Sequence, residues 1–156
     1  MNKKILFCDL DGVLADFDGA IRKYHPNLDL YPEDERGDLV DEVCEANPTI
    51  FHDLEPLPDA ITAIKLLVNH FDVYFLSTPM WNVPESFTGK RLWIEKHFGH
   101  LATKKLILTH RKDLNHGAYL IDDRLKNGAG EFTGVHIHFG TSKFPNWSSV
   151  LKHLLS

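Results

Sequence analysis

The sequence predicts an α/β fold, doubly wound, in which a mainly parallel five-stranded sheet forms the middle of three α/β/α layers. Three observations lead to this prediction. Short apolar runs recur along the chain, most of them are continuous rather than alternating, and helical patterns separate them. Continuous apolar runs are typical of strands covered on both faces, and strands that alternate with helices favour a parallel, Rossmann-like sheet.

Five of these runs are predicted to be strands, at residues 4–8, 73–76, 106–108, 119–121 and 135–139. Three helices are predicted from their apolar stripes. The first begins after Pro58-Asp59, the second ends at Gly99, and the third begins after Pro145-Asn146. Proline near a helix start and glycine just past a helix end are common boundary signals.

A long segment between the first two strands breaks this alternation of strands and helices. It exceeds sixty residues, about twice what an ordinary crossover needs. Phe17, Ile21 and Tyr24 share one face of a short predicted helix, and residues 32–46 form a second one. We therefore predict a single domain over residues 1–156, with a helical insertion at about residues 16–50.

Composition narrows the classes of function. The net charge is −5, whereas a nucleic-acid-binding protein normally shows a basic face, so a nucleic acid polymer is not an expected partner. The chain has no apolar run of about 18 residues or more, and its first apolar stretch reaches Asp9 too soon for a signal peptide. Cys8 and Cys44 lack redox or metal spacing. We expect a cytoplasmic protein that does not associate with membranes.

His136 and His138 alternate along the last predicted strand and therefore share one of its faces. Two interpretations are open for this pair: a metal site, or a strand face that is exposed or hydrogen-bonded. The ten histidines of the chain are scattered without a clear metal-ligand spacing. We therefore favour the second interpretation.

Acidic pairs follow two of the predicted strands. Asp9 and Asp11 come after the first strand, with Gly12 beside them, and Asp122 and Asp123 come after the fourth. Ligands of an open parallel sheet gather at the carboxyl ends of its strands. Each pair alone is also compatible with a solvated turn or a helix cap. Two such pairs at one edge would repel each other unless a cation lay between them, and oxygen-rich sites of this kind suit Mg²⁺.

Hydroxyl and cationic side chains follow the other strands. Ser77 and Thr78 end the second strand, where a hydroxyl and free backbone N–H groups are able to hold a phosphate oxygen. Lys90 lies in the next helix, and Lys112 follows the third strand. A Ser-Thr-Pro turn or a lone lysine is common on any surface, so these residues indicate a function only as part of the whole set.

Together these motifs resemble the haloacid-dehalogenase superfamily of phosphatases and, within it, the 5′(3′)-deoxyribonucleotidases. The resemblance covers nearly the whole chain and is weakest from about residue 24 to residue 47. The segments that carry it are residues 9–17 (DLDGVLADF), 53–58 (DLEPLP), 90–99 (KRLWIEKHFG), 108–109 (LT), 120–124 (LIDDR) and 145–147 (PNW).

The resemblance implies a Mg²⁺-dependent phosphomonoesterase that works through an aspartyl phosphate. Asp9 corresponds to the nucleophile, and Asp11 to the general acid and base. Mg²⁺ would be held by the carboxylates of Asp9 and Asp123 and by the backbone carbonyl of Asp11, with Asp122 in support. Lys90 would join the ion in offsetting the charge of the phosphate.

The resemblance also assigns residues to substrate binding. Ser77 and the amide of Thr78 would orient the phosphoryl oxygens. The insertion would form a small helical cap in which Phe17 stacks on a nucleobase. Phe51 and Lys112 are further substrate-binding candidates. The alternative for Phe17 is a core position on the apolar stripe of its helix.

The predicted substrate is a small phosphorylated molecule, most simply a nucleoside monophosphate. Two departures from the family pattern concern substrate preference: His110 stands where family members carry arginine, and the usual Thr-Ser-Pro is Ser77-Thr78-Pro79. One alternative is a phosphatase of sugar phosphates or other small metabolites. A remote alternative is a phosphorylation-receiver module, which is disfavoured because the third predicted strand ends at Thr109 without an acid.

Overall fold

The computed structural model describes residues 2–156. Five strands form one sheet in the order β3-β2-β1-β4-β5, and every neighbouring pair is parallel. The strands are β1 (Ile5–Cys8), β2 (Asp72–Ser77), β3 (Leu106–Leu108), β4 (Tyr119–Asp122) and β5 (Val135–His138). The helices are α1 (Phe17–Tyr24), α2 (Glu33–Ala46), α3 (Ala60–Leu67), α4 (Glu85–Phe98) and α5 (Trp147–Leu155).

The predicted α/β class with a five-stranded parallel sheet is confirmed. Strand boundaries differ from the predicted ones by a single residue. β2 is longer by one residue at each end, and β5 ends at His138. The N–H of Phe139 still donates to the carbonyl of Asp122 at 3.0 Å. Among residues 2–156, no helix combines the length and apolarity that a membrane crossing requires.

Alternation along β1 divides the apolar core between the two faces of the sheet. Leu6 and Cys8 belong to the larger cluster, which includes the buried faces of α3, α4 and α5. Phe7 belongs to a smaller cluster on the other side, where its ring meets that of Phe132 edge to face. Both faces of the strand are therefore covered, as its continuous apolar sequence predicted.

Two buried tryptophans connect distant segments to the chain around the carboxyl end of β1. The indole N–H of Trp147, at the start of α5, donates to the carbonyl of Val13 at 2.9 Å. The indole N–H of Trp93, in α4, donates to the carbonyl of Leu54 at 2.8 Å. These bonds satisfy buried polar atoms and fix the loops on either side of the insertion.

The predicted insertion contains α1, α2 and the 3₁₀ turn Leu28–Leu30, and a second 3₁₀ turn, Ile50–His52, begins where it ends. This second turn lies directly on α4 at Gly89, where a Cβ atom would come within 2.8 Å of Phe51 and His52. Glycine at this position lets the insertion approach α4 closely. The neighbouring residue, Lys90, is thereby brought beside Phe51.

Candidate active site

The acidic pairs meet at the centre of the sheet. β1 lies between β2 and β4, so its carboxyl end is the switch point at which a doubly wound sheet binds ligands. Asp9 follows β1 directly, and its backbone N–H donates to the carbonyl of Ile121 at 2.9 Å. Asp122 ends β4 beside it. The predicted proximity of the two pairs is thus present in the structure.

Gly12 shapes the turn after β1. Its φ is +79°, in the left-handed region, and a Cβ atom there would overlap the carboxylate of Asp123. Any other residue would be strained at this φ and would also displace the acid. Glycine is therefore required both by the backbone and by the space that Asp123 occupies.

Three carboxylates lie close together at this edge. Asp9, Asp122 and Asp123 each offer an oxygen within 4.8 Å of the others, and within residues 2–156 they form the one group of three or more potential metal ligands. Burial and the charge of Asp122 raise the pKa of Asp9, against the opposing charge of Lys112. Burial, together with the charges of Asp9 and Asp122, raises the pKa of Asp123 to about 7.

One oxygen of this group is left without a partner. Oδ1 of Asp123 is buried and accepts no hydrogen bond. A buried polar atom without a partner is costly, and neighbouring negative charges increase the cost for a carboxylate. A divalent cation among these oxygens would relieve both costs. The donor set, made of carboxylate oxygens, fits a hard cation of this kind.

Lys112 lies against the nucleophile candidate. It begins a 3₁₀ turn after β3, and its Nζ is 3.2 Å from Oδ1 of Asp9 and 2.5 Å from Oδ2 of Asp122. Burial works to lower the pKa of Lys112, but the charges of Asp9 and Asp122 outweigh it and raise that pKa. The sequence predicts Lys112 as a substrate-binding residue; in the structure its side chain contacts these two acids.

Lys90 contacts the other acid of the first motif. Its Nζ is 2.7 Å from Oδ2 of Asp11 and lies over the ring of Phe51, 5.2 Å from the centroid. The Lys90 side chain is 3% exposed, and that of Asp11 is 24% exposed. Lys90 is therefore buried within the protein, whereas its partner Asp11 is partly open to solvent.

The hydroxyl residues lie at the neighbouring strand end. Ser77 ends β2 and is buried, and its carbonyl accepts from the N–H of Thr109 at 3.0 Å. The hydroxyl Oγ1 of Thr78 is buried and has no hydrogen-bond partner. The structure therefore leaves a free hydroxyl next to the strand end that carries Asp9.

The two aromatic candidates stack on each other. The rings of Phe17 and Phe51 are nearly parallel, at 11°, with centroids 5.4 Å apart. Phe17 begins α1 after Asp16, whose carboxylate accepts from the N–H of Gly19 at 2.9 Å and caps the helix. Phe17 is half-buried, whereas Phe51 is only 2% exposed. Phe17 is thus the more exposed of the two rings, and part of it packs against the apolar core.

Sequence reasoning missed the contact between Lys112 and Asp9. A signal for it was present, because Lys112 follows β3 and the carboxyl ends of parallel strands share one edge.

The histidine pair of β5 agrees with the hydrogen-bonded interpretation, since the Nε2 atoms of His136 and His138 lie 3.3 and 3.0 Å from backbone carbonyls.

Comparison with known families supports what this geometry indicates. A family model described as 5′ nucleotidase, deoxy (pyrimidine), cytosolic type C, matches residues 3–147. The chain belongs to this family. As a member of this nucleotidase family, the protein is a hydrolase of phosphoric monoesters, and the resemblance to deoxyribonucleotidases is confirmed.

Relatives span viruses, bacteria and mammals. A protein of Vibrio phage KVP40, whose name marks it as a predicted 5′(3′)-deoxyribonucleotidase, is 48% identical over 155 residues, covering 99% of this chain and 86% of its own. The mitochondrial 5′(3′)-deoxyribonucleotidase of Mus musculus is 33% identical over 164 residues, covering 92% of this chain and 70% of its own. These alignments extend over the whole fold rather than over one motif.

Solved structures agree on the fold. A haloacid-dehalogenase-like hydrolase of Streptococcus pneumoniae matches with a TM-score of 0.56 at 14% identity, covering 97% of this chain and 90% of its own. A second hydrolase of Streptococcus pneumoniae matches with a TM-score of 0.53 at 11% identity over 100% of both chains. At such low identity the likeness concerns the fold alone, which is haloacid-dehalogenase-like.

Proposed function

We propose that this nucleotidase is a Mg²⁺-dependent 5′(3′)-deoxyribonucleotidase that removes phosphate from nucleoside monophosphates through a phosphoaspartate on Asp9. The observation that carries the proposal is the placement of Asp9. The residue is 7% exposed and lies at the switch point of the sheet, and its carboxylate contacts Lys112 and is close to Asp123. Relatives with deoxyribonucleotidase names at 31–48% identity support the substrate class.

The metal ligands are proposed to be the carboxylates of Asp9 and Asp123 and the backbone carbonyl of Asp11. Asp122 would support the site indirectly, because its oxygens already accept from Lys112 and from the backbone N–H of Arg124. When bound, Mg²⁺ supplies the positive charge that lets a phosphate dianion approach the Asp9 carboxylate.

In the first half of the proposed reaction, a carboxylate oxygen of Asp9 forms a bond to phosphorus while the bond from phosphorus to the nucleoside oxygen breaks. Asp11 gives its proton to that departing oxygen. In the second half, Asp11 takes a proton from water, which attacks the phosphoaspartate, releases inorganic phosphate and restores both acids.

Lys90 is proposed to exchange partners during this cycle. Its ammonium group lies 2.7 Å from Oδ2 of Asp11 in the structure, whereas the first half of the reaction requires a proton on that acid. An incoming phosphate would attract the ammonium group of Lys90 and release Asp11 to carry a proton. Lys90, the hydroxyl of Ser77 and the amide of Thr78 would then orient the phosphoryl oxygens.

The insertion, at about residues 16–50, is proposed to act as a small cap that binds the nucleoside. The half-buried Phe17 would stack on the base, since stacking suits any base and needs one open ring face. Phe51 would back Phe17 from behind, because only 2% of it is exposed. Lys112 is proposed to hold Asp9 in its charged form rather than to touch the nucleoside.

A cytoplasmic location is part of the same proposal. Cys8 and Cys44 are both unpaired and buried, as is common in a reducing compartment. The net charge of −5 favours a small substrate held by a few local cations over a nucleic acid polymer.

Asp9→Asn tests the chemistry, because it keeps the shape of the side chain and removes the nucleophile. We expect phosphate release from dUMP with Mg²⁺ to fall to background, with the fold unchanged by circular dichroism. Asp18→Asn is the matched control, since the Asp18 side chain is 70% exposed and pairs with Arg22. Substantial activity left in the Asp9 variant would rule out Asp9 as the nucleophile.

A substrate panel tests the narrower claim. Rates with dUMP, dTMP, dGMP and 3′-nucleotides are compared with rates on sugar phosphates at the same Mg²⁺ concentration. We expect nucleotides to be preferred. Equal or faster hydrolysis of sugar phosphates would replace the nucleotidase proposal with that of a metabolite phosphatase and leave the role of Asp9 unaffected.

A further inference from the structure

The histidine pair of β5 takes no part in the chemistry proposed above. β5 lies beside β4, with His136 opposite Leu120 and His138 opposite Asp122. The two histidine rings stack on each other, with centroids 5.2 Å apart and planes inclined by 20°. Both residues are half-buried. The two stacked rings therefore lie beside β4, the strand that ends at Asp122.

Each ring of this pair reaches a backbone carbonyl of that motif. Nε2 of His136 lies 3.3 Å from the carbonyl oxygen of Asp122, and Nε2 of His138 lies 3.0 Å from that of Asp123. A carbonyl oxygen only accepts hydrogen bonds, so each Nε2 must carry the proton and donate. These nitrogens are consequently not metal ligands.

The two hydrogen bonds differ in importance. The carbonyl of Asp122 also accepts from the N–H of Phe139 at 3.0 Å, so the strand pairing holds it without His136. The carbonyl of Asp123 accepts from His138, and no backbone N–H of residues 2–156 donates to it. Removal of the His138 ring donor would leave this carbonyl without its hydrogen bond.

The direction of the Asp123 side chain depends on the position of its backbone more than the directions of Asp9 and Asp122 do. Lys112 contacts the carboxylates of Asp9 and Asp122, but Oδ1 of Asp123 has no hydrogen-bond partner among residues 2–156. Its direction is therefore set mainly by where its backbone lies. The backbone of His138 is itself held, because the hydroxyl of Thr141 donates to its carbonyl at 2.7 Å.

We propose that His138 is a positioning residue of the metal site, whose Nε2–H holds the backbone of Asp123 so that the carboxylate remains directed at the divalent cation. His136 braces the ring of His138 by stacking. This inference rests on the proposed metal site and adds one outer residue to it. Outer partners of metal ligands typically change metal affinity about 10–100-fold when they are lost.

Direct binding of Mn²⁺ to the full chain, followed by electron paramagnetic resonance without substrate, tests the inference. His138→Phe keeps a flat ring for stacking and removes the donor, and we expect its Mn²⁺ dissociation constant to rise roughly 10–100-fold. His138→Gln restores an N–H donor and should recover part of the affinity. His136→Phe is the matched control, and its dissociation constant should stay within about threefold because Phe139 still satisfies the carbonyl of Asp122.

The outcomes separate this inference from the proposed function. If wild type binds Mn²⁺ and His138→Phe binds it equally well, the positioning role is wrong and the metal site stands. If wild type binds no Mn²⁺, both are wrong. A merely structural role would lower the affinities of His138→Phe and His138→Gln alike, which would also overturn the inference.

A measurement on the wild-type protein does not depend on whether the variants fold. Long-range ¹H–¹⁵N correlation spectra distinguish the two neutral forms of histidine. We expect His138 to carry its proton on Nε2, with a slowly exchanging ring N–H. A proton on Nδ1 instead would overturn the inference, because Nε2 would then have no hydrogen to donate to Asp123.

Discussion

Replacing Lys112 by methionine tests how the site tolerates its buried carboxylates. Nζ of Lys112 lies 3.2 Å from Asp9 and 2.5 Å from Asp122, and the side chain is 4% exposed. Methionine occupies a similar volume and carries no charge. The variant therefore leaves Asp9, Asp122 and Asp123 close together without the positive charge of Lys112 that offsets their negative charges.

The expected loss follows from these distances. At an effective dielectric constant of about 20, the two contacts correspond to roughly 5 and 7 kcal/mol of gross attraction. Desolvation of the lysine offsets part of this, and removing one partner of a buried pair typically costs about 3–5 kcal/mol. We expect a loss of that size in the free energy of unfolding without metal, and hydrolysis slower by about a hundredfold or more.

Urea unfolding followed by circular dichroism measures this loss. Lys105→Met is the matched control, since Lys105 pairs with Asp72 at 2.7 Å but the two side chains are 34% and 39% exposed. Such an exposed pair is worth less than about 1 kcal/mol. If Lys112→Met destabilises the protein no more than Lys105→Met does, the electrostatic account of the site is refuted.

The same variant has a predictable pH dependence. Burial already raises the pKa of Asp9 in the folded protein, and the loss of Lys112 raises it further. An acid whose pKa is higher in the folded state binds more protons there than in the unfolded state, so stability rises as the pH falls through that range. The deficit of Lys112→Met should therefore shrink as the pH falls towards the ordinary range of an aspartate.

Three further predictions concern the metal and the substrate. Mg²⁺ should raise the melting temperature more at about pH 8 than at about pH 6, because the pKa of Asp123 is about 7 and its proton must leave before the ion binds. Equal shifts would contradict this. Gly12→Ala should cost about 1–2 kcal/mol in urea unfolding and weaken Mg²⁺ binding in calorimetry, since the new Cβ is strained and overlaps Asp123; unchanged Mg²⁺ affinity would exclude that overlap. Phe17→Ala should raise KM for dUMP at least about fivefold and leave p-nitrophenyl phosphate hydrolysis unchanged, with the half-exposed Tyr24→Ala on the same helix as control. A loss on both substrates would argue against base stacking.

The parts of the fold that were predicted from the sequence are those that local patterns determine. Continuous apolar runs identify strands covered on both faces, and Asp9, Asp11 and Asp123 are recognisable because each stands at or just after the end of such a run. Gly12 belongs to the same class, since one residue type suits a left-handed turn next to a bulky carboxylate.

The partners of the two lysines are not determined by local sequence patterns, because they depend on contacts between distant segments. Lys112 reaches Asp9 because the backbone N–H of Lys112 donates to the carbonyl of Asn127 at 2.7 Å, which holds the two loops together. Lys90 reaches Asp11 from a helix whose position depends on the contact between Gly89 and the insertion. Neither contact has a local signature that distinguishes it from a solvated lysine.

The difference between the two lysines has a consequence for the proposed reaction. Lys112 lies between two carboxylates and is almost fully buried, so its charge is fixed beside Asp9, which must stay ionised to attack phosphorus. Within the described part of the chain, Lys90 pairs with one carboxylate, that of Asp11, which is 24% exposed, and it also lies over the uncharged ring of Phe51. Exchange of that one partner for a phosphate oxygen costs little, because one ion pair replaces another. The fixed charge of Lys112 thus lies beside Asp9, which must remain ionised. The exchangeable charge of Lys90 lies beside Asp11, which must gain a proton.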